Sequence, residues 1–168
     1  MSDLYSEEIV KKNPSAKDRL LKVLLPALTV VSAAMALFTG LNLLLLVLTI
    51  ALIVADALVI PRLSVEYEYL YVNGELDVDK IMSKQKRKRV YSMEVSELEL
   101  MAPTSSHALD YHNQQSIKTY DFSSGSADAE TFTMIVMKDK ERERVIFEPN
   151  ETMKKDMKRL APREVQLS

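Results

Sequence analysis

The chain has 168 residues, a formal net charge of −2, no cysteine and no tryptophan. That balance argues against a nucleic-acid partner, and the lack of cysteine excludes disulfides, thiolate metal sites and cysteine nucleophiles. The near-zero mean hydropathy averages two unlike stretches: 20–60 is almost wholly apolar, whereas 62–168 is charged and alternates in polarity.

Residues 1–15 read as a polar N-terminal segment. Ser15 and Asp18 fit a capping box, which predicts a first helix over about 16–38. After the turn TGLN a second apolar run predicts a helix over about 42–60. Each run of about 18–20 apolar residues can cross a hydrocarbon core of roughly 30 Å, so 16–61 reads as a transmembrane hairpin. Gly40 and Asn42 permit the turn, Pro26 can kink the first helix, and Pro61 stops the second. Lys11, Lys12, Lys17, Arg19 and Lys22 precede the hairpin, Arg62 follows it, and TGLN carries no charge. The positive-inside rule then predicts a two-span, multi-pass protein of the cell membrane with both termini cytoplasmic. A cleaved leader ending near Ala34-Met35-Ala36 is the competing reading; its length and the second span that follows at once argue against it.

Two polar features lie within the spans. Thr29, Ser32, Ala33, Ala36 and Gly40 suit close helix packing. Asp56 is an intramembrane carboxylate and so a functional candidate; its blander reading is contact with headgroups, Lys22 or Arg62.

Residues 62–168 read as a cytoplasmic β domain. Val65, Tyr67, Tyr69 and Tyr71 alternate with more polar positions, and Asn73-Gly74 is a strong hairpin signal. The return strand is Glu75 to Met82, with further strands at Arg87 to Met93 and Glu97 to Ala102. A short helix or loop fills 104–115, and Ile117 to Phe122 is extended. Ser123 to Glu130 reads as a solvated turn. Thr131 to Lys138 and Arg144 to Glu148 form a hairpin across the turn Asp139 to Glu143. Asn150 caps a last helix over 151–160, whose apolar face is Met153, Met157 and Leu160, with Lys154, Lys155, Lys158 and Arg159 around the rest.

The order of six or seven antiparallel strands and one amphipathic helix resembles a pleckstrin-homology-like (PH-like) domain. With the hairpin it resembles bacterial two-helix PH-like membrane proteins of the YcxB type, and an uncharacterised family of small membrane proteins from clostridia and related Firmicutes. The residues that carry the resemblance are Val65 to Leu76 (VEYEYLYVNGEL), the basic run into Val90, and Val145 to Val165 (VIFEPNETMKKDMKRLAPREV). It implies an α+β membrane protein: a transmembrane helical hairpin followed by a PH-like antiparallel barrel or sheet, capped by the C-terminal helix. It carries no catalytic residues.

Lys84, Lys86, Arg87, Lys88 and Arg89 form the densest charge cluster, a candidate for anionic lipid headgroups. The alternatives are a lysine-guarded strand edge and topology control by positive charge. His107, Asp110 and His112 do not match a metal-ligand spacing, so no metal site and no cofactor are expected. No GxSxG elbow and no glycine-rich phosphate loop occurs; the glycines are Gly40, Gly74 and Gly125. Glu97 and Glu99 read as a solvated face, the tyrosine stripe as core, and the Asn150-Glu151-Thr152 sequon as unused on a cytoplasmic domain.

The expected function is therefore non-enzymatic: a membrane-tethered module presenting a binding surface to a protein partner or a second copy. The alternatives are a lipid-responsive module using the run 84–89, and a subunit of an oligomeric transporter or channel using Asp56.

Overall fold

The computed structural model describes residues 5–83, 86–113 and 116–167. The chain forms two compact units: Pro14–Val65, and the chain on either side of it.

The first unit is a helix pair, α1 (Ala16–Phe38) and α2 (Leu43–Val59), followed by a 3-10 turn, Ile60–Leu63. The predicted capping box is present: Asp18 N–H donates to Ser15 Oγ at 3.1 Å, and Ser15 N–H to Asp18 Oδ2 at 3.0 Å. Gly40 (φ +71°) and Leu41 (φ 61°) turn the chain, and Asn42 caps α2 through Leu44 N–H. Pro61 does not end the structure abruptly. It sits at the start of the 3-10 turn, where a missing N–H leaves no bond unmade. The small residues of α1 meet α2: Ala36 is buried, and buried Ser32 and Thr49 share a hydrogen bond of 2.8 Å. The outward faces are apolar. Ten large hydrophobic side chains of α1 and eight of α2 are exposed.

The second unit is built from strands. Residues 1–15, expected as a polar segment without a strand, contain β1 (Tyr5–Lys11). It pairs antiparallel with β2 (Val65–Val72), from Tyr5↔Val72 to Lys11↔Glu66. Ser6 and Val10 stand opposite Tyr71 and Tyr67, so β1 extends the buried face of the tyrosine strand. The helix pair is thus an insertion between two adjacent strands of one sheet.

The sheet continues through β3 (Glu75–Met82) and β4 (Lys86–Glu94) in the order β1-β2-β3-β4. Asn73 and Gly74 both have positive φ, as the two-residue turn requires. After a 3-10 turn, Val95–Glu97, come β5 (Leu98–Pro103), α3 (Asp110–Asn113), β6 (Lys118–Asp121), β7 (Phe132–Lys138) and β8 (Glu141–Phe147). Their sheet has the order β5-β7-β8-β6. The strand-rich unit is therefore two four-stranded sheets, not the closed barrel that the resemblance allows, and β6 pairs parallel with β8 rather than antiparallel. The connection 122–131 is long enough to carry the chain away from β6 before it enters the β7–β8 hairpin. That hairpin turns on Asp139 and Lys140 alone, both with positive φ, so β8 starts earlier than the charge pattern suggests.

The sheets share one core. Tyr69 of β2 meets Phe147 of β8 edge to face at 5.7 Å, and its hydroxyl donates to Phe122 O at 2.8 Å. Burial pushes the Tyr69 hydroxyl above its ordinary titration range. The segment Ser123 to Glu130 is not solvated throughout. Ser123 and Ser124 are buried, held by Asp121 and Glu148.

The last helix, α4 (Glu151–Leu160), buries Met153 and Met157 as expected, but Leu160 is half exposed and Lys154 is buried. Lys154 can be buried because Glu130 and Glu151 flank its ammonium and Phe132 lies beneath it. Asn150 does more than cap. Its side chain accepts from Met153 N–H and Ser6 Oγ and donates to Glu7 O and Glu8 Oε2, tying α4 to β1. The tail then runs beside β5, with Met101 N–H donating to Glu164 O and Gln166 N–H to Met101 O.

Candidate functional site

The basic run forms one side of the β3–β4 ribbon. Lys84 lies outside the described residues. The other four alternate across β4, so neighbours in sequence face opposite ways. On the turn side of a bulge at Val78/Asp79 the register is Asp79↔Arg89, Lys80↔Lys88, Ile81↔Arg87 and Met82↔Lys86.

On one face the arginines are answered by acids. Arg87 contacts Glu68 Oε1 at 2.6 Å and Asp79 at 3.9 Å. Arg89 contacts Asp77 at 2.6 Å and Asp79 at 3.7 Å. Glu68 is only 1 % exposed. Its burial raises its carboxyl pKa, Arg87 pulls it back down, and the charges of Glu7 and Asp79 push it up again. Arg87 and Arg89 are therefore partly spent within the sheet.

The other face carries Lys80, Lys86 and Lys88, with Met82 beside them. None of the three lysines makes an ion pair among the described residues. Lys80 and Lys88 are direct cross-strand partners, a like-charge arrangement that weakens a sheet.

The opposite end of the ribbon repeats this with the sign inverted. Glu75 and Glu94 are direct cross-strand partners. They line a cleft of about 720 Å³ with Val72, Gly74, Leu160 and Glu164 around it. Val95 and Leu98, both buried, supply apolar floor. Among the described residues, no lysine or arginine lines it. Its walls are fixed from within. Val95 N–H donates to Gly74 O at 2.7 Å, Glu97 and Glu94 cap the 3-10 turn reciprocally, and Lys158 holds the tail at Pro162 O and Val165 O. Val72 and Leu160 stay 37 % and 46 % exposed.

A second groove, of about 510 Å³, has Arg89, Lys118 and Lys138 among its lining. Its cations have local partners: Lys118 sits by Glu143 at 3.6 Å, Arg89 by Asp77 at 2.6 Å, and Lys138 donates to Ser92 O at 2.7 Å.

The remaining sequence candidates make local contacts. Asp56 accepts from Thr29 Oγ1 at 2.7 Å within the helix pair, instead of pairing with Lys22, whose ammonium donates to Ser64. His107 contacts Asp110, while the backbone of His112 accepts from Arg144; no metal-binding group occurs among the described residues. Glu97 is a cap, and the bidentate hydrogen bonds from the Arg142 guanidinium lower the Glu99 carboxyl pKa from its ordinary value.

Lys80 and the Glu75–Glu94 pair are not legible as site residues in the sequence. Asn73-Gly74 fixes where β3 starts, but what faces its residues on β4 depends on a bulge without a sequence signature.

A family model described as a bacterial PH-like domain (DUF6106) matches residues 2–167. No match was found among curated proteins or solved structures.

Proposed function

The chain belongs to that bacterial PH-like family, and from this premise we propose that it is a non-enzymatic binding module tethered to a membrane by its helix pair. The observation that carries the reading is the uncovered apolar surface of α1 and α2. Two helices of 23 and 21 residues, counting the 3-10 turn, are long and apolar enough to cross a bilayer, and almost none of that surface is buried. Each such side chain left in water forgoes about 1.5 kcal/mol or more. A bilayer removes that penalty.

The β1–β2 pairing supports the topology. Strands on both sides of the insertion pair in one sheet, which favours both helix ends facing the same compartment. The flanking lysines and arginines favour the cytoplasm. The cleft beside Glu75 and Glu94 is the partner-binding surface, since it is preformed and part-apolar. The test is a photo-crosslinking residue at Val72, with one at Lys155 as control, in cells expressing the full chain. Adducts at Val72 alone support the reading. Adducts at neither position, or a chain that leaves the membrane in alkaline carbonate, contradict it.

A second reading rests on one observation, that Lys80, Lys86 and Lys88 make no ion pair among the described residues: that face would then contact anionic headgroups, at about 1 kcal/mol per residue near the surface. If full-length protein in phosphatidylserine liposomes binds the headgroups equally well after Lys86→Glu/Lys88→Glu, that reading fails. Asp56 engages Thr29 through one carboxylate oxygen only, its Oδ1 being buried without a hydrogen-bond partner among the described residues, which leaves the transport alternative standing on that atom.

A further inference from the structure

The β3–β4 ribbon has a basic end and an acidic end, and one copy cannot bring them together. Glu75 and Lys80 lie five residues apart on β3, about 17 Å along a strand and roughly two Debye lengths at physiological salt. Between them the ribbon is neutralised by the acids facing Arg87 and Arg89. At each end, a directly opposed like-charge pair remains without a counter-ion among the described residues. Each end also keeps apolar surface beside its charges: Met82, part exposed, at the basic end, and Val72 with Leu160 at the acidic end. The two surfaces are opposite in sign and alike in carrying apolar area.

We propose that the Lys80–Met82–Lys86–Lys88 face of one copy docks into the Glu75–Glu94–Leu160 cleft of a second copy. The two surfaces differ, so the interface is head-to-tail and propagates into a ring or an open row instead of stopping at a symmetric dimer. It rests on the tethered-module reading in one respect: shared confinement in a membrane raises the local concentration of the copies. The cross-strand repulsion at each end, unhelpful in a single copy, is relieved at the interface.

The chain has no cysteine, so the test is clean. Full-length Glu75→Cys and Lys88→Cys proteins are co-reconstituted in liposomes and oxidised. The expected product is a mixed disulfide dimer, with little from either variant alone. A homodisulfide of Glu75→Cys would indicate a symmetric interface and overturn the proposal. Charge reversal gives the second arm. Lys86→Glu/Lys88→Glu and Glu75→Lys/Glu164→Lys should each lower self-association by about tenfold or more, as expected on losing one good ion pair. Mixing the two variants should restore it, since the reversed tip then meets the reversed cleft. Self-association that survives tip reversal while binding to anionic liposomes falls assigns the lysines to the membrane and overturns the proposal. Adducts at Val72 that contain only other proteins overturn it too, while leaving the tethered-module reading intact.

Discussion

Arg87 and Lys88 are adjacent in the chain and equally basic, yet they do opposite things. Arg87 covers a buried carboxylate, Glu68, and so belongs to the sheet. Lys88 stands opposite Lys80 with no acid in reach among the described residues. A run of basic residues is therefore no unit of function. The strand alternation divides it, and the neighbouring strands decide which half is neutralised.

Removing the covering guanidinium should have the largest effect. Arg87→Ala leaves Glu68 buried without its cation, and stability should fall by about 2 kcal/mol, less than for a fully buried pair because Arg87 itself is half exposed. Thermal melts of the strand-rich unit, followed by tyrosine circular dichroism in mild detergent, read this out. No change would place Glu68 with some other partner.

Glu68 also gives a pH signature. A carboxyl whose folded pKa is raised contributes stability that is complete below its unfolded value, near 4.5, and is lost as pH rises through the higher folded value. Glu68→Gln lacks that component. The variant should gain on the wild type as pH is raised from about 4.5, and equal curves at every pH would remove burial as the governing cause.

Arg89→Ala should cost less, about 1 kcal/mol, since Asp77 and Asp79 are less buried than Glu68. The smallest effects should have the opposite sign. Lys88→Glu places a carboxylate opposite Lys80, and Glu75→Lys places an ammonium opposite Glu94. Each should raise stability by about 0.5 kcal/mol, measured as a higher midpoint in urea. A fall on both substitutions would show that the end pairs are compensated in the single copy. A rise on both, with loss of self-association, would mark residues kept at some expense to folding.

Much of the fold is legible in the sequence because its signals are local. The Ser15 box, the positive-φ pair Asn73-Gly74 and the Asn150 cap each depend on a few neighbouring residues, and each is present as expected. What escapes is set by distant partners. YSEEIVK has no hydrophobic alternation strong enough to announce β1; it is a strand because Tyr67 and Tyr71 offer it an edge across the inserted helices. Lys154 looks like a solvated lysine until Glu130 and Phe132 are brought to it. The site was half visible for the same reason. The charges stand in the sequence, but their compensation lies on other strands.

If the inserted helix pair crosses the membrane, the β1–β2 pairing holds both its ends on one side. Single cysteines at Lys17, Thr39 and Arg62 in the otherwise cysteine-free chain test it directly, with a membrane-impermeant thiol reagent applied to intact cells and to inverted vesicles. The expected result is labelling of Thr39→Cys from outside the cell only, and of Lys17→Cys and Arg62→Cys from the cytoplasmic face only. Labelling of all three from the same side, or of Lys17→Cys and Arg62→Cys from opposite sides, would contradict it.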